Sequence, residues 1–536
     1  MTFGLDLFNT ALRRNRLDTS DVGVIVRLEA MIVVIGNTLY SNNSSVLISG
    51  LKSVAAIAKC PLKSLSKSIP VIIRQILDIM RQTGSSESEV VQTALRSLAT
   101  LLRDCPSAQV KEKDLTYLLE LVSPDLEEPS RQMPVFTMLR AIVSRKFVVP
   151  EIYDLMDKIS EIMVTSQSPS VQELSRSVLL QFLLDYPQGK GRLRTQMTFF
   201  AKNLSYVHES GRKSVMELLH AVVSKFELGL IREYSDLLFF ALVMAIANDD
   251  SAKCREMASE LIKNLFVKLN DDHRRLIMSH LHSWASQHSQ PELVKVASQT
   301  YGFVIDVLEQ DALPYISSVL EDLNDAVERS ARQLSPIGEG DDVNLELEWQ
   351  VPYHSLIVLS KVLRVFPHFT TDFDKVMWHP IVTHLLFPHA WVRTSSSRLL
   401  GSLFAAVPVS APDPTLPNTS PFSTIGMCDI AKRLCVQLKS EHLDSALSLQ
   451  IVKNLFYVGR CFCAMAATSN GSTKRTDDSA LEEDGEDIEE TRNDAVRDPL
   501  PWLFSKLSYQ VKSAHIARRN KALSAVRLRY SSFHFM

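Results

Sequence analysis

Glycine and cysteine are both scarce, at 17 and 7 of 536 residues. So little glycine excludes collagen-like and glycine-rich linker classes; it suits helices, where each glycine lowers stability. The cysteines are scattered, odd in number and without Cys-x-x-Cys. Cys428 and Cys435 stand seven apart, and Cys461-x-Cys463 is too tight for a usual zinc knuckle. Reduced, buried thiols are expected. Long apolar runs are missing too. The longest charge-free one, Leu237–Asn248, has 12 residues, too few to span a bilayer. Asn37, Asn42, Asn43 and several serines interrupt the uncharged stretch Ala30–Leu51, which predicts two helices and a turn. Residues 1–20 lack a secretory pattern, because Arg13, Arg14 and Arg16 follow the apolar residues. An intracellular, soluble protein with no membrane partner is expected. No charge dominates either: a net charge of −3 argues against wholesale coating of nucleic acid.

Catalytic patterns are equally absent. There is no Gly-x-Ser-x-Gly, no His-Glu-x-x-His and no carboxylate pair in an apolar setting. His379, His384 and His389 recur every five residues, a step that turns a helix by roughly 500°, so their side chains diverge. Pro380 and Pro388 break the segment as well. The sequence predicts no catalytic residue, metal ligand, cofactor or small-molecule substrate.

What the chain does have is a period. Apolar doublets stand at Leu101-Leu102, Ile142-Val143, Leu183-Leu184, Val222-Val223, Leu265-Phe266 and Val304-Ile305, about 41 residues apart. Each lies late in an amphipathic stretch, and a second such stretch follows before the next doublet. Self-similarity near 40 residues with two helices per unit marks a HEAT or armadillo-type array. Val91, Leu95, Leu98 and Leu102 recur at spacings of three and four, one buried helical stripe; Phe136, Leu139 and Val143 form the next, and Val178, Leu179, Phe182 and Leu183 the third. Helix starts are expected after Gly84-Ser85-Ser86, Glu127-Glu128-Pro129, Ser168-Pro169, Ser210-Gly211, Asp249-Asp250-Ser251 and Gln290-Pro291, because these residues cap free N–H groups or need no donor. The predicted class is all-α, a HEAT/armadillo-like superhelical solenoid of helix pairs.

Composition divides the chain. Helical repeats are expected over 1–334 and 353–467, with a loop at 335–352 and a Pro-rich loop at 408–424, where five prolines fall between Pro408 and Pro421. Nine acids between Asp477 and Glu490 predict a disordered linker over 468–498. A basic helical tail, 499–536, follows, with no acid in it.

The tail supplies most candidate contacts. Lys506, Lys512, Arg518, Arg519, Lys521, Arg527 and Arg529 are candidates for RNA phosphate. Trp502, Leu503, Leu507 and Val511 form a candidate protein-docking stripe. The same pattern also suits a solvated helix attracted to the acidic block. Arg518-Arg519-Asn520-Lys521 matches a minimal nuclear-import cluster. Lys190, Arg192 and Arg194, beside Gly189 and Gly191, read as a basic turn between two helices and a further phosphate candidate. Arg103, Arg145-Lys146 and Lys225 end comparable helices; the favoured reading is that they answer helix dipoles, and a basic ridge is the other.

Four sets of strings resemble a known family. They are Leu139-Arg-Ala-Ile-Val-Ser-Arg-Lys146 with Val149-Pro-Glu-Ile152, Phe182-Leu-Leu-Asp-Tyr-Pro187 with Leu204-Ser-Tyr-Val-His-Glu-Ser-Gly-Arg212, Asn248-Asp-Asp-Ser-Ala-Lys-Cys254, and Pro388-His-Ala-Trp-Val392. Together they resemble the C-terminal region of the small-subunit processome component 20 (DRIM) family of nucleolar HEAT-repeat proteins, over residues 90–410. The resemblance implies a nucleolar, non-catalytic scaffold of ribosome biogenesis, with pre-ribosomal particle proteins, pre-rRNA and small nucleolar RNA as partners. The runner-up is a protein-only solenoid adaptor, such as a nuclear transport receptor or phosphatase scaffold.

Overall fold

The computed structural model describes residues 1–128, 131–334, 347–438, 443, 445–469, 496 and 498–511. The chain forms two compact units, Met1–Leu269 and Asn270–Met536. The first holds α1 (Thr2–Arg13), α2 (Val22–Thr38), α3 (Ser44–Ile57), α4 (Leu65–Thr83), α5 (Glu89–Asp104), α6 (Glu112–Val122) and α7 (Gln132–Ser144). It continues with α8 (Pro150–Thr165), α9 (Pro169–Asp185), α10 (Lys190–Asn203), α11 (Glu209–Lys225), α12 (Leu228–Glu233), α13 (Ser235–Asn248) and α14 (Ala252–Lys268). The second holds α15 (Asp271–Ala285), α16 (Pro291–Leu308), α17 (Leu313–Gln333), α18 (Gln350–Val365), α19 (Trp378–Thr383), α20 (Ala390–Ala406), α21 (Thr424–Leu438), α22 (Ser445–Ser469) and α23 (Pro499–Val511). Among the described residues the sole β feature is an isolated bridge between Asp413 and Ser423.

Each unit is a helix-pair solenoid. In the first, α1, α3, α5, α7, α9, α11 and α14 pack in order into one row, and α2, α4, α8, α10 and α13 cover them from a second. In the second, α16, α18, α20 and α22 make such a row, with α15, α17, α19 and α21 beside it. The doublets fill the seam. Leu101, Leu102, Ile142, Val143, Val222, Val223, Leu265, Phe266, Val304 and Ile305 are all buried. Only the third is displaced by a residue: Phe182 and Leu183 are buried while Leu184 is exposed.

Local chemistry sets the helix starts. Asn43 accepts from the N–H groups of Ser45 and Val46, making Ala30–Leu51 two helices and a turn. Ser88 and Ser251 cap α5 and α14, and Pro150, Pro169 and Pro291 open α8, α9 and α16, where a missing N–H does no harm. Three expectations need correction. Ser210-Gly211 is no break, for α11 starts at Glu209. Gly211 is small for a different reason: a Cβ there would lie 2.4 Å from the Val164 carbonyl oxygen. Lys190–Arg194 is not a turn but the first turn of α10, behind Gly189. Finally, α18 begins at Gln350 and takes in the last three residues of the expected loop, since Pro352 sits in a first turn that needs no donor. Residues 335–346 and most of 468–498 lie outside the described residues.

One polar position recurs along the first unit's row from α5 to α14. Gln92, Gln132 and Gln172 donate through Nε2 to the carbonyls of Ser86, Leu126 and Ser166, at 2.8, 2.7 and 2.8 Å. Arg212 and Arg255 donate to Tyr206 O and Asp249 O at 2.9 and 2.6 Å. In every case the reach is six residues back, across the turn that enters the helix. Arg393 does the same to Phe387 O in α20 of the second unit, at 2.8 Å. Backbone oxygens at helix entries have no ladder partner, and this side chain satisfies them. Arg145 closes a different gap. Its guanidinium donates to Leu102 O, Cys105 O, Pro106 O and Ala108 O, at 2.9 to 3.3 Å, tying the end of α5 to the end of α7. Arg145→Ala strands part-buried carbonyls, at a cost on the order of 1–3 kcal/mol. Faster hydrogen exchange in residues 101–108 than in α13 checks this.

Candidate interaction surfaces

The described part of the tail is a docked helix. α23 packs on α21 and α22; Leu503 and Leu507 are buried, and Leu503 lies against Gly459 of α22. Trp502 is partly buried, with the Lys432 ammonium over its ring at 5.8 Å. The Leu503–Leu507 stripe is therefore spent on the chain's own helices, not left free, because an apolar face beside an open helix pair is buried by the nearest matching surface. Lys506 is half-buried on the same helix. The other tail candidates, Lys512, Arg518, Arg519, Lys521, Arg527 and Arg529, lie outside the described residues, as does the side chain of Val511. Leu503→Ala with Leu507→Ala is expected to release α23 while α21 and α22 stay folded. Trp502 fluorescence should shift to the red in the variant; an unchanged spectrum would show a helix held by other contacts.

The other basic candidates scatter in role. Arg192 is exposed, with its guanidinium 4.0 Å from the centroid of Tyr153, a cation–π contact. Arg194 is exposed as well. Arg103 pairs with the neighbouring Asp104 carboxylate through two bonds of 2.7 and 2.8 Å. Arg145 serves helix-end carbonyls, as the dipole reading expects, but those of α5 and the turn after it. Lys225 is exposed at the end of α11.

The histidines part company. His384 is buried and bonded to Pro380 O through Nδ1 (2.7 Å) and to Ser330 Oγ through Nε2 (3.0 Å). His389 caps α20 by accepting from Trp391 N–H and stacks flat on Trp349 at 3.9 Å. Tyr353 and the exposed Trp391 complete that cluster. Sequence reading missed it, since Trp349 stood inside an expected loop; the signal was Trp349 and Trp391 standing 42 residues apart, about one repeat. Burial lowers the His384 pKa from its usual 6.5 to about 4. The folded state thus refuses a proton that the unfolded chain accepts. Stability is whole above pH 6.5 and falls as pH drops from 6.5 toward 4, by at most about 3 kcal/mol from this group. Urea midpoints at pH 7.5 and 4.5 should differ less in His384→Gln than in the unaltered chain.

Among the described residues no cluster of His, Cys, Asp or Glu could hold a metal ion, and no helix is long and apolar enough to cross a membrane. No family model matches the chain. Curated relatives do. U3 small nucleolar RNA-associated protein 20 of Schizosaccharomyces pombe is 32% identical over 453 residues, covering 83% of this chain and 18% of that protein. Its namesake in Saccharomyces cerevisiae is 33% identical over 405 residues, covering 75% and 16%. The chain thus spans about a sixth of the length of these relatives. Among solved structures, Kap121p bound to Ste12p aligns with a TM-score of 0.43 and 11% identity, over 99% of this chain and 48% of that one. Importin beta aligns at 0.37 and 12%, over 95% and 57%.

Proposed function

We propose that this chain, a homologue of a segment of U3 small nucleolar RNA-associated protein 20, is a non-catalytic scaffold in small ribosomal subunit biogenesis. It works in the nucleolus, within the small-subunit processome, and holds processome proteins and RNA during pre-rRNA processing. One observation carries the reading: identity of 32–33% with two curated relatives of that name over 75–83% of this chain. The solenoid suits the role physically, because stacked pairs offer long surfaces on which several partners dock side by side. The tail contributes in two parts. α23 anchors it on the second unit, and Lys512, Arg518, Arg519, Lys521, Arg527 and Arg529 supply phosphate contacts beyond the anchor. A protein-only adaptor, whether transport receptor or phosphatase scaffold, has solenoid architecture alone in its favour.

The test is recovery of U3 small nucleolar RNA with the tagged chain from nucleolar extract. Enrichment over an unrelated small nucleolar RNA is expected. Background recovery, with transport factors or phosphatase subunits in the same eluate, would replace the scaffold by the adaptor.

A further inference from the structure

We infer that the outward face of α3, α5 and α7 in the first unit is a docking surface for the phosphate backbone of RNA. The inference rests on the scaffold reading above and names a contact surface for it. Three observations carry it.

The first is placement. α3, α5 and α7 pack side by side in one row. On each, the residues left in solvent form a single stripe at helical spacing: Lys52 leads to Lys59 just past α3, Glu89 leads through Arg96 to Arg103 on α5, and Met133 leads through Thr137 to Arg140 on α7. Neighbouring helix axes are about 8–10 Å apart, so cations on three successive helices form an array that an extended strand can follow.

The second is the lack of direct ion pairs. Among the described residues, Lys52, Lys59, Arg96 and Arg140 form no direct ion pair, though beside the Arg103 bond the Lys59 charge helps to hold the Asp104 carboxyl below its usual pKa. Helices α3 and α7 contain no Asp or Glu at all. On α5 the acids stand at the ends: Glu89 in the first turn, and Asp104, already held by Arg103. Glu87, Glu89 and Glu128 border the open cleft beside Lys52 and Arg96, where Arg131 pairs with Glu87.

The third is contrast within the same row. Further along, four cations are paired, Arg176 with Glu217 at 2.7 Å, Lys213 with Glu209 at 2.6 Å, Lys253 with Glu256 at 3.0 Å and Lys263 with Glu260 at 2.9 Å, and among the described residues Lys225 is left without an ion pair. A solubilising surface needs only mixed charge, as α11 and α14 carry. A run of unpaired cations on adjacent helices attracts a polyanion through the counterions that polyanion releases. Both Arg96 and Arg140 are guanidinium groups, whose donor fork matches phosphate oxygens.

The experiment uses the full chain and a fluorescently labelled single-stranded RNA of mixed sequence, titrated at several salt concentrations. Lys52→Ala, Arg96→Ala and Arg140→Ala together should weaken binding roughly tenfold and lower the log–log salt slope by about 2, three phosphates at about 0.7 each. Arg96→Lys with Arg140→Lys keeps the charges and should keep the slope. Matching circular dichroism and melting curves confirm that all variants fold. An unchanged slope in the triple variant overturns the proposal. So does a face that loses nothing toward RNA but loses binding to a peptide of residues 477–490, which would assign it to acidic protein. Failure of the unaltered chain to recover U3 RNA sinks the scaffold reading, whereas an unchanged slope sinks this proposal alone.

Discussion

Asp249→Ala should be among the most damaging single substitutions in the chain, at about 3–5 kcal/mol. Asp249 takes two bonds from the Arg212 guanidinium, at 2.8 and 2.9 Å, and one from Ser251 N–H at 2.8 Å. Both side chains are almost wholly buried. Arg212 also holds Tyr206 O and Val207 O, and its remaining partner, Asp250, is exposed. Removing the carboxylate leaves a buried charge with too few acceptors, which costs far more than one lost bond. Because the pair ties α11 to the entry of α14, exchange should rise most in those two helices. Asp249→Asn, which keeps the shape without the charge, should fall between. A melting temperature unchanged in Asp249→Ala would mean that Asp250 can take over.

Phe182→Ala should cost a similar amount, about 3–5 kcal/mol. Phe182 is fully buried in α9 and touches the rings of Tyr153 and Tyr186, with centroids 5.9 and 5.1 Å away. Those tyrosines bridge connections: Tyr186 OH donates to Phe147 O at 2.7 Å, and Tyr153 OH donates to Pro187 O at 2.8 Å. Emptying the space between them loosens both bridges, so the loss should spread from α9 to α8 and the turn before it. Leu184→Ala, one turn-face away and exposed, should move the urea midpoint little. Equal losses in the two variants would contradict the packing described.

The period was legible because a row of stacked helices must bury the same face in each repeat. Leu95, Leu98 and Leu102 had to be apolar whatever lay around them. Starts marked by serine or proline were legible for the same local reason. Failure came where one residue type serves two purposes. Gly211 looks like a break but is small to admit the Val164 carbonyl. Lys190–Arg194 looks like a turn, yet Gly189 already supplies the boundary. Gln92, Gln132, Gln172, Arg212 and Arg255 carried no signal of their role, since a bond to a carbonyl six residues back leaves no apolar trace. Their recurrence every 40 to 43 residues was the signal. The strings that pointed to a family are largely these connections: Arg145, Tyr186, Arg212, Asp249 and Arg393 lie in or beside them. For the surfaces, charge was legible and pairing was not. Arg103 and Arg96 look alike in sequence, and only the fold shows that Arg103 is held by Asp104.

The proposed membership of a large RNA-containing particle is tested most directly by sedimentation of the tagged chain through a sucrose gradient. The chain should travel with pre-ribosomal particles in untreated extract and shift to light fractions after ribonuclease. A chain that stays in light fractions before and after treatment would contradict the account.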